Sequence, residues 1–223
     1  MSAPRLVIFD LDGTLIDTVA LVVEAVSNAF VSMGRPVPDE KAIRSISGLG
    51  LFDGVRRIAP DADEALVTEL GNLYRREYLA AASACMREAL FPGALETLKA
   101  LNARNDTLLA VATGKPLAGT NRVLKAHDIL GLFTSLQTPD NNMSKPNPEM
   151  IYSAMKVAGV EPEQTVMIGD TNHDIEMAVA AGVKSVGVSW GYHPLEELKE
   201  AGADVIVQDF ATLCDAVGRL VES

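Results

Sequence analysis

The chain has 223 residues, and 48% of them are hydrophobic, enough to bury the core of one large domain or of a domain carrying a smaller insert. Its 30 acidic against 19 basic residues leave a net charge of -11, which argues against nucleic acid or an anionic membrane as partner. No apolar run reaches the ~18 residues of a spanning helix. Met1-Ser2-Ala3-Pro4-Arg5 runs straight into a strand without a signal-type segment, so the cytoplasm is the expected compartment. The two cysteines, Cys85 and Cys214, lack companions at ligand spacing and read as buried thiols instead of a zinc site or a disulfide.

Short aliphatic runs at Leu6 to Phe9, Leu108 to Ala112, Thr165 to Ile168, Ser185 to Val188 and Val205 to Val207 have the length of buried strands. Helical patterns separate them, among them Pro92 to Ala103 and Pro148 to Ala158, the second closed by Gly159. Strands alternating with helices predict an α/β fold with a parallel, doubly wound sheet. The stretch 18–88 breaks this rhythm. It reads as helices over Val19 to Met33, Asp39 to Ser47, Phe52 to Ile58 and Asp63 to Ala84, a small all-helical insert; residues 1–17 and 89–223 then form the core.

Three polar groups leave the carboxyl ends of separate predicted strands: Asp10 with Asp12, Thr113 with Gly114 and Lys115, and Asp170. Open α/β sheets place their sites at that edge. Asp10 and Asp12, at i and i+2, project to one side, and two like charges so placed call for a cation. Lys145 stands in a loop stiffened by Pro146 and Pro148, and Asp174 follows Asp170 by four residues across a strand-to-helix turn. The carboxylates form a hard-oxygen set suited to magnesium. His173 reads as exposed or as a loop hydrogen-bonder, and Lys115 as a surface residue.

Asp10-Leu11-Asp12-Gly13-Thr14, then Thr113, then Lys145, then Gly169-Asp170 with Asp174 resemble, in order, the four motifs of the haloacid dehalogenase-like superfamily. The likeness is to the branch with a small helical cap after the first motif, within it the phosphoglycolate phosphatase-like group. The resemblance implies that Asp10 attacks a phosphate monoester, forming an aspartyl-phosphate, and that Asp12 protonates the leaving alkoxide and then activates water. It implies a Mg2+ ion held by Asp10, the Asp12 carbonyl and Asp170, with Asp174 ligating directly or through water. Thr113, Gly114 and Lys145 would bind phosphoryl oxygens and offset their charge. Asp12 argues against dehalogenation, since a halide leaving group needs no proton.

The expected partner is a small phosphorylated metabolite, with phosphoglycolate a candidate, acted on by a monomer or homodimer. A phosphomutase, a pyrophosphatase and a metabolite-binding regulator are the alternatives. Ser47-Gly48-Leu49-Gly50-Leu51 resembles the cap's specificity loop, or is a plain helix–helix turn. Arg56 or Arg57 reaches a second anionic group of the substrate, or both lie on a solvated helix face. Trp190-Gly191-Tyr192-His193 shapes the pocket, or its aromatics only pack.

Overall fold

A computed structural model describes residues 4–85 and 88–221. In chain order the elements are β1 (Arg5–Phe9), β2 (Ile16–Asp17), α1 (Val19–Ser32), α2 (Glu40–Arg44), α3 (Leu51–Ile58), α4 (Glu64–Cys85), β3 (Ala89–Leu90), α5 (Ala94–Asn102), β4 (Thr107–Ala112) and α6 (Leu117–Ala126). They continue with β5 (Phe133–Gln137), α7 (Glu149–Ala158), β6 (Thr165–Gly169), α8 (Asn172–Ala181), β7 (Lys184–Val188), α9 (Leu195–Glu200), β8 (Val205–Val207) and α10 (Leu213–Val221).

Six strands pair in the order β5-β4-β1-β6-β7-β8, and each pairing is parallel. Side chains of β1 alternate between two apolar layers: Val7 and Phe9 join Val111, Ile168 and Leu213, while Leu6 and Ile8 join Met150, Met167 and Met177. A strand buried on both faces must be apolar throughout, which is why β1 reads as a run without alternation. Strand order reverses beside β1, so the crevice for a ligand opens where β1, β4 and β6 end.

The helices α1 to α4 build a separate apolar cluster in which Val22, Val26 and Phe30 of α1 meet Val55, Val67 and Leu70. Their i, i+4 spacing puts one face of α1 inward. The short antiparallel pair β2–β3 ties the start and end of this helical group together, with Ile16 opposite Leu90 and Asp17 opposite Ala89. No helix among the described residues is long and apolar enough to cross a membrane. Cys214 is a free, half-buried thiol, and the Cys85 side chain lies outside the described residues.

Candidate active site

Asp10 is the first residue after β1 and is buried, its backbone N–H donating to the Ile168 carbonyl at 2.9 Å. Its Oδ1 accepts from the Leu11 N–H at 2.6 Å and lies 3.1 Å from the Lys145 ammonium. Lys145 is itself fully enclosed and donates to Asp174 Oδ1 at 2.6 Å. The other oxygen of Asp174 accepts from the N–H and hydroxyl of Thr171, at 3.1 and 2.7 Å, in a reciprocal cap that starts α8. Asp170 is held from two sides: the Thr14 hydroxyl donates to Oδ1 at 2.7 Å and the Tyr192 N–H to Oδ2 at 2.8 Å.

One oxygen from each of Asp10, Asp170 and Asp174 falls within 4.8 Å of the others, and all three residues are buried. Lys145 pairs with Asp10 and Asp174 but not with Asp170, so the cluster carries excess negative charge in a poor solvent for it. Burial, resisted by Lys145 and reinforced by Asp174 and Asp12, pushes the Asp10 carboxyl up to about 7. Burial, with Asp10 and Asp174 adding to it, raises Asp170 well above the carboxylate range. Lys145 is raised as well, but for the opposite reason: burial alone would lower it, and Asp10 and Asp174 outweigh that. Asp10 Oδ2 is buried with no hydrogen-bond partner among the described residues. An orphaned carboxylate oxygen inside an all-oxygen, over-charged cluster fits a divalent hard cation.

Asp12, Thr113 and Gly114 open into the same cavity as Asp10, about 480 Å³ in volume, between the sheet edge and the helical group. Lys115 is not the surface residue its sequence context suggests. Its ammonium is buried 3.0 Å from Asp12 Oδ2 and 3.5 Å from Glu88 Oε1, and it donates to the Tyr78 hydroxyl at 2.8 Å. Glu88 is in turn gripped by two bonds from Arg122, at 2.5 and 2.9 Å. Sequence reasoning missed this network because its members come from segments far apart; a lysine directly after the Thr113-Gly114 turn is the only local sign.

The Arg56 guanidinium does not line the cavity. It is exposed and paired with Asp53 at 3.0 Å and Glu64 at 2.8 Å, so its charge is satisfied along the helix surface. Arg57 does not line the cavity either. His173 is buried, not exposed; it bonds the Ser45 carbonyl at 3.2 Å and stacks edge-on with His193, and burial holds its imidazole below the usual histidine range. The Trp190 to His193 loop both packs and positions. The Trp190 ring lies against Phe210 while its N–H donates to the Thr14 carbonyl at 3.0 Å, and Tyr192 both fixes Asp170 and lines the cavity.

The Ser47 to Leu51 segment forms the cavity's opposite wall. At Gly114 an added Cβ would stand 2.3 Å from the Leu49 carbonyl oxygen and 2.6 Å from that of Gly48, so the two loops meet backbone to backbone. Gly114→Ala is therefore expected to cost the closed arrangement about 1–3 kcal/mol. Steady-state kinetics should show a correspondingly reduced kcat/KM, whereas Gly131→Ala, where a Cβ meets nothing within 4 Å, should behave as wild type.

The family described as haloacid dehalogenase-like hydrolase matches residues 7–188. Among relatives, the "Probable phosphatase IndB" of Dickeya dadantii is 37% identical over 97% of this chain and 95% of its own. A phosphoglycolate phosphatase of Pseudomonas putida is 32% identical over 94% of this chain and 78% of its own. A "predicted phosphatase" from Clostridium acetobutylicum superposes with a TM-score of 0.84 at 25% identity, covering 100% of both chains. A "predicted phosphoglycolate phosphatase" from Haemophilus somnus gives 0.83 at 26% identity over 97% of this chain and 99% of that one. The chain belongs to the haloacid dehalogenase-like hydrolase family and stands among its phosphatases.

Proposed function

We propose that the protein is a magnesium-dependent phosphatase that hydrolyses a small phosphate monoester through an aspartyl-phosphate formed on Asp10. The observation that carries this reading is the placement of Asp10, Asp12 and Thr113 at one end of a single cavity, with the carboxylate cluster and Lys145 directly behind. Residues 18–88 act as the cap over that cavity and residues 1–17 and 89–223 as the catalytic core.

Asp10 attacks phosphorus as the bond to the alcohol oxygen breaks, and Asp12 gives that oxygen its proton. Asp12 then takes a proton from the water that cleaves the Asp10–phosphate bond, which returns both residues to their starting state. Lys115, 3.0 Å away, holds the Asp12 carboxyl in place through this exchange. The Thr113 hydroxyl already accepts from the Lys115 N–H at 3.2 Å, which leaves its own proton free to donate to a phosphoryl oxygen. The Gly114 N–H donates beside it. Lys145 keeps Asp10 oriented and offsets negative charge on the transferring group.

Asp10, Asp170 and the Asp12 carbonyl would hold the ion, with Asp174 ligating directly or through water. Bound there, Mg2+ neutralises charge on the nucleophile and the phosphoryl oxygens. The substrate is a free metabolite, which accords with a chain of net charge -11, and the enzyme works as a cytoplasmic monomer or homodimer.

The test is phosphate release across a panel of monoesters, phosphoglycolate included, with magnesium and with chelator. Release from no ester in the presence of metal overturns the reading. A second expectation concerns pH. The Asp10 carboxyl sits at about 7 in the fold against 3.8 in the open chain, so the folded protein binds a proton more tightly than the unfolded one. Metal-free stability therefore falls as pH rises through that window, and the cost is complete above about 7. Magnesium needs the ionised form, so the rise in Tm that it produces should be larger at pH 8 than at pH 5.5. Equal shifts at both values would contradict the assignment of Asp10 as a ligand.

A further inference from the structure

The cavity is larger, and chemically different beyond its phosphate end, than a two-carbon acid requires. Its volume of about 480 Å³ is in the range of sites for ring-containing ligands. Outward from Asp10 and Thr113 its wall is made by Ile46, Leu49, Leu51, Leu79, Tyr74 and Tyr78. The tyrosine rings stand edge-on at 6.4 Å and 87°. Tyr78 is fixed in orientation, since its hydroxyl donates to Glu88 at 2.7 Å and accepts from Lys115, whose ammonium also lies 4.5 Å from its ring centre.

The enclosed charges at the wall count against a second anionic group deep in the chamber. Lys115 is committed to Asp12 and Glu88, and Arg122 makes two bonds to Glu88. Arg75, on the exposed side of α4 and bonded to Asn72 at 2.9 Å, is a lining cation with no acid on it among the described residues, but it stands at the solvent side, and Asp140 adds an acid to the same wall. A substrate carboxylate here would find the Tyr74 hydroxyl as a donor but no enclosed cation free of an acid, so its charge would stay uncompensated away from water, which is costly. An uncharged ring gains from each apolar contact and from the tyrosine faces.

We infer that the alcohol half of the substrate is an uncharged, ring-bearing group, aromatic or heteroaromatic, and not a short acid such as glycolate. The inference rests on the phosphatase reading and narrows its substrate class. Once the phosphoryl group is seated at Asp10 and Thr113, the ring occupies the space between Tyr74, Leu79 and the Ser47 to Leu51 segment.

The test compares kcat/KM of the magnesium-loaded protein for 4-nitrophenyl phosphate, pyridoxal 5′-phosphate and a purine and a pyrimidine nucleoside 5′-monophosphate with that for phosphoglycolate. At least one ring ester should exceed phosphoglycolate by about tenfold or more, the lower end of what one pocket feature discriminates. Tyr74→Ala should shrink that ratio by about tenfold, chiefly through the KM of the ring ester, and Tyr74→Phe should restore it. Leu79→Ala, at an exposed position of the chamber mouth, supplies a second variant whose fold is not at stake. Phosphoglycolate as the best substrate, or a ratio unmoved in both Tyr74→Ala and Leu79→Ala, overturns the inference while leaving the phosphatase reading intact. Release from no ester overturns the phosphatase reading alone, because calorimetric affinity of the same protein for the ring esters against phosphoglycolate then decides the chamber: tighter ring-ester binding sustains it, and equal or weaker binding ends it.

Discussion

Asp10→Asn is expected to remove at least about 10⁴-fold of kcat, the scale on which loss of a nucleophile acting within a unit is felt, while leaving the metal-free protein as stable as wild type or more so. The two effects have one cause. Asp10 is one of three clustered buried carboxylates, only two of which pair with the Lys145 ammonium, and burial lifts it from 3.8 to about 7. Above that pH its ionised form therefore costs the fold something on the order of a few kcal/mol. Asparagine keeps an oxygen able to accept from the Leu11 N–H and from Lys145 but carries no charge, so the repulsion goes and the hydrogen bonds stay. Phosphate release and thermal melting of the same preparation, with chelator at pH 8, check both halves. A variant that keeps a hundredth of the activity, or that melts well below wild type, would contradict this account.

Lys145→Met is expected to do the reverse to stability and the same to activity. It removes the cation 2.6 Å from Asp174 and 3.1 Å from Asp10, leaving both carboxylates buried beside Asp170. Breaking a buried pair in this way costs about 3–5 kcal/mol, which in a chain of this size lowers Tm by roughly 10 °C. Magnesium should return part of that loss, because a second cation then serves the same carboxylates, and it should return more in the variant than in wild type. Lys145→Arg is not a rescue: the guanidinium is broader than the ammonium, and the fully enclosed position leaves it no room. An unchanged melting curve for Lys145→Met would show that the lysine is not what balances the cluster.

Much of this was readable from the chain. The strands β1, β4, β6 and β7 announce themselves as apolar runs because the sheet buries both of their faces, the short edge strand β8 does so by its Val-Ile-Val composition alone, and Asp10, Thr113 and Asp170 stand directly after three of the buried strands. The edge strand β5, Phe133–Gln137, does not, since half-exposed residues such as Thr134 and Ser135 break the run. The pair β2–β3 is two residues long on each side and exists only because the chain returns to itself after α4. The burial of Lys115 and of His173 escaped the sequence for a common reason, although the hydrogen bond of His173 to a loop carbonyl was one of its two readings. Each is polar in a polar local context, and each is buried by partners remote in sequence: Glu88 and Tyr78 for the lysine, Ser45 and His193 for the histidine. Arg56 took the second of its two readings, a solvated helix face, because Asp53 and Glu64 occupy its charge.

The seat of Asp170 has a consequence for how freely this sequence can vary. A Cβ added at Gly13 would stand 2.3 Å from Asp170 Oδ2, and one added at Gly191 would stand 2.3 Å from its Cβ, so the carboxyl is wedged between two turns that close on it from opposite sides. Neither glycine can acquire a side chain, and the aspartate cannot lengthen to glutamate, without the other two giving way. Three positions far apart in the chain thus behave as a single locus: drift at one is blocked by the other two.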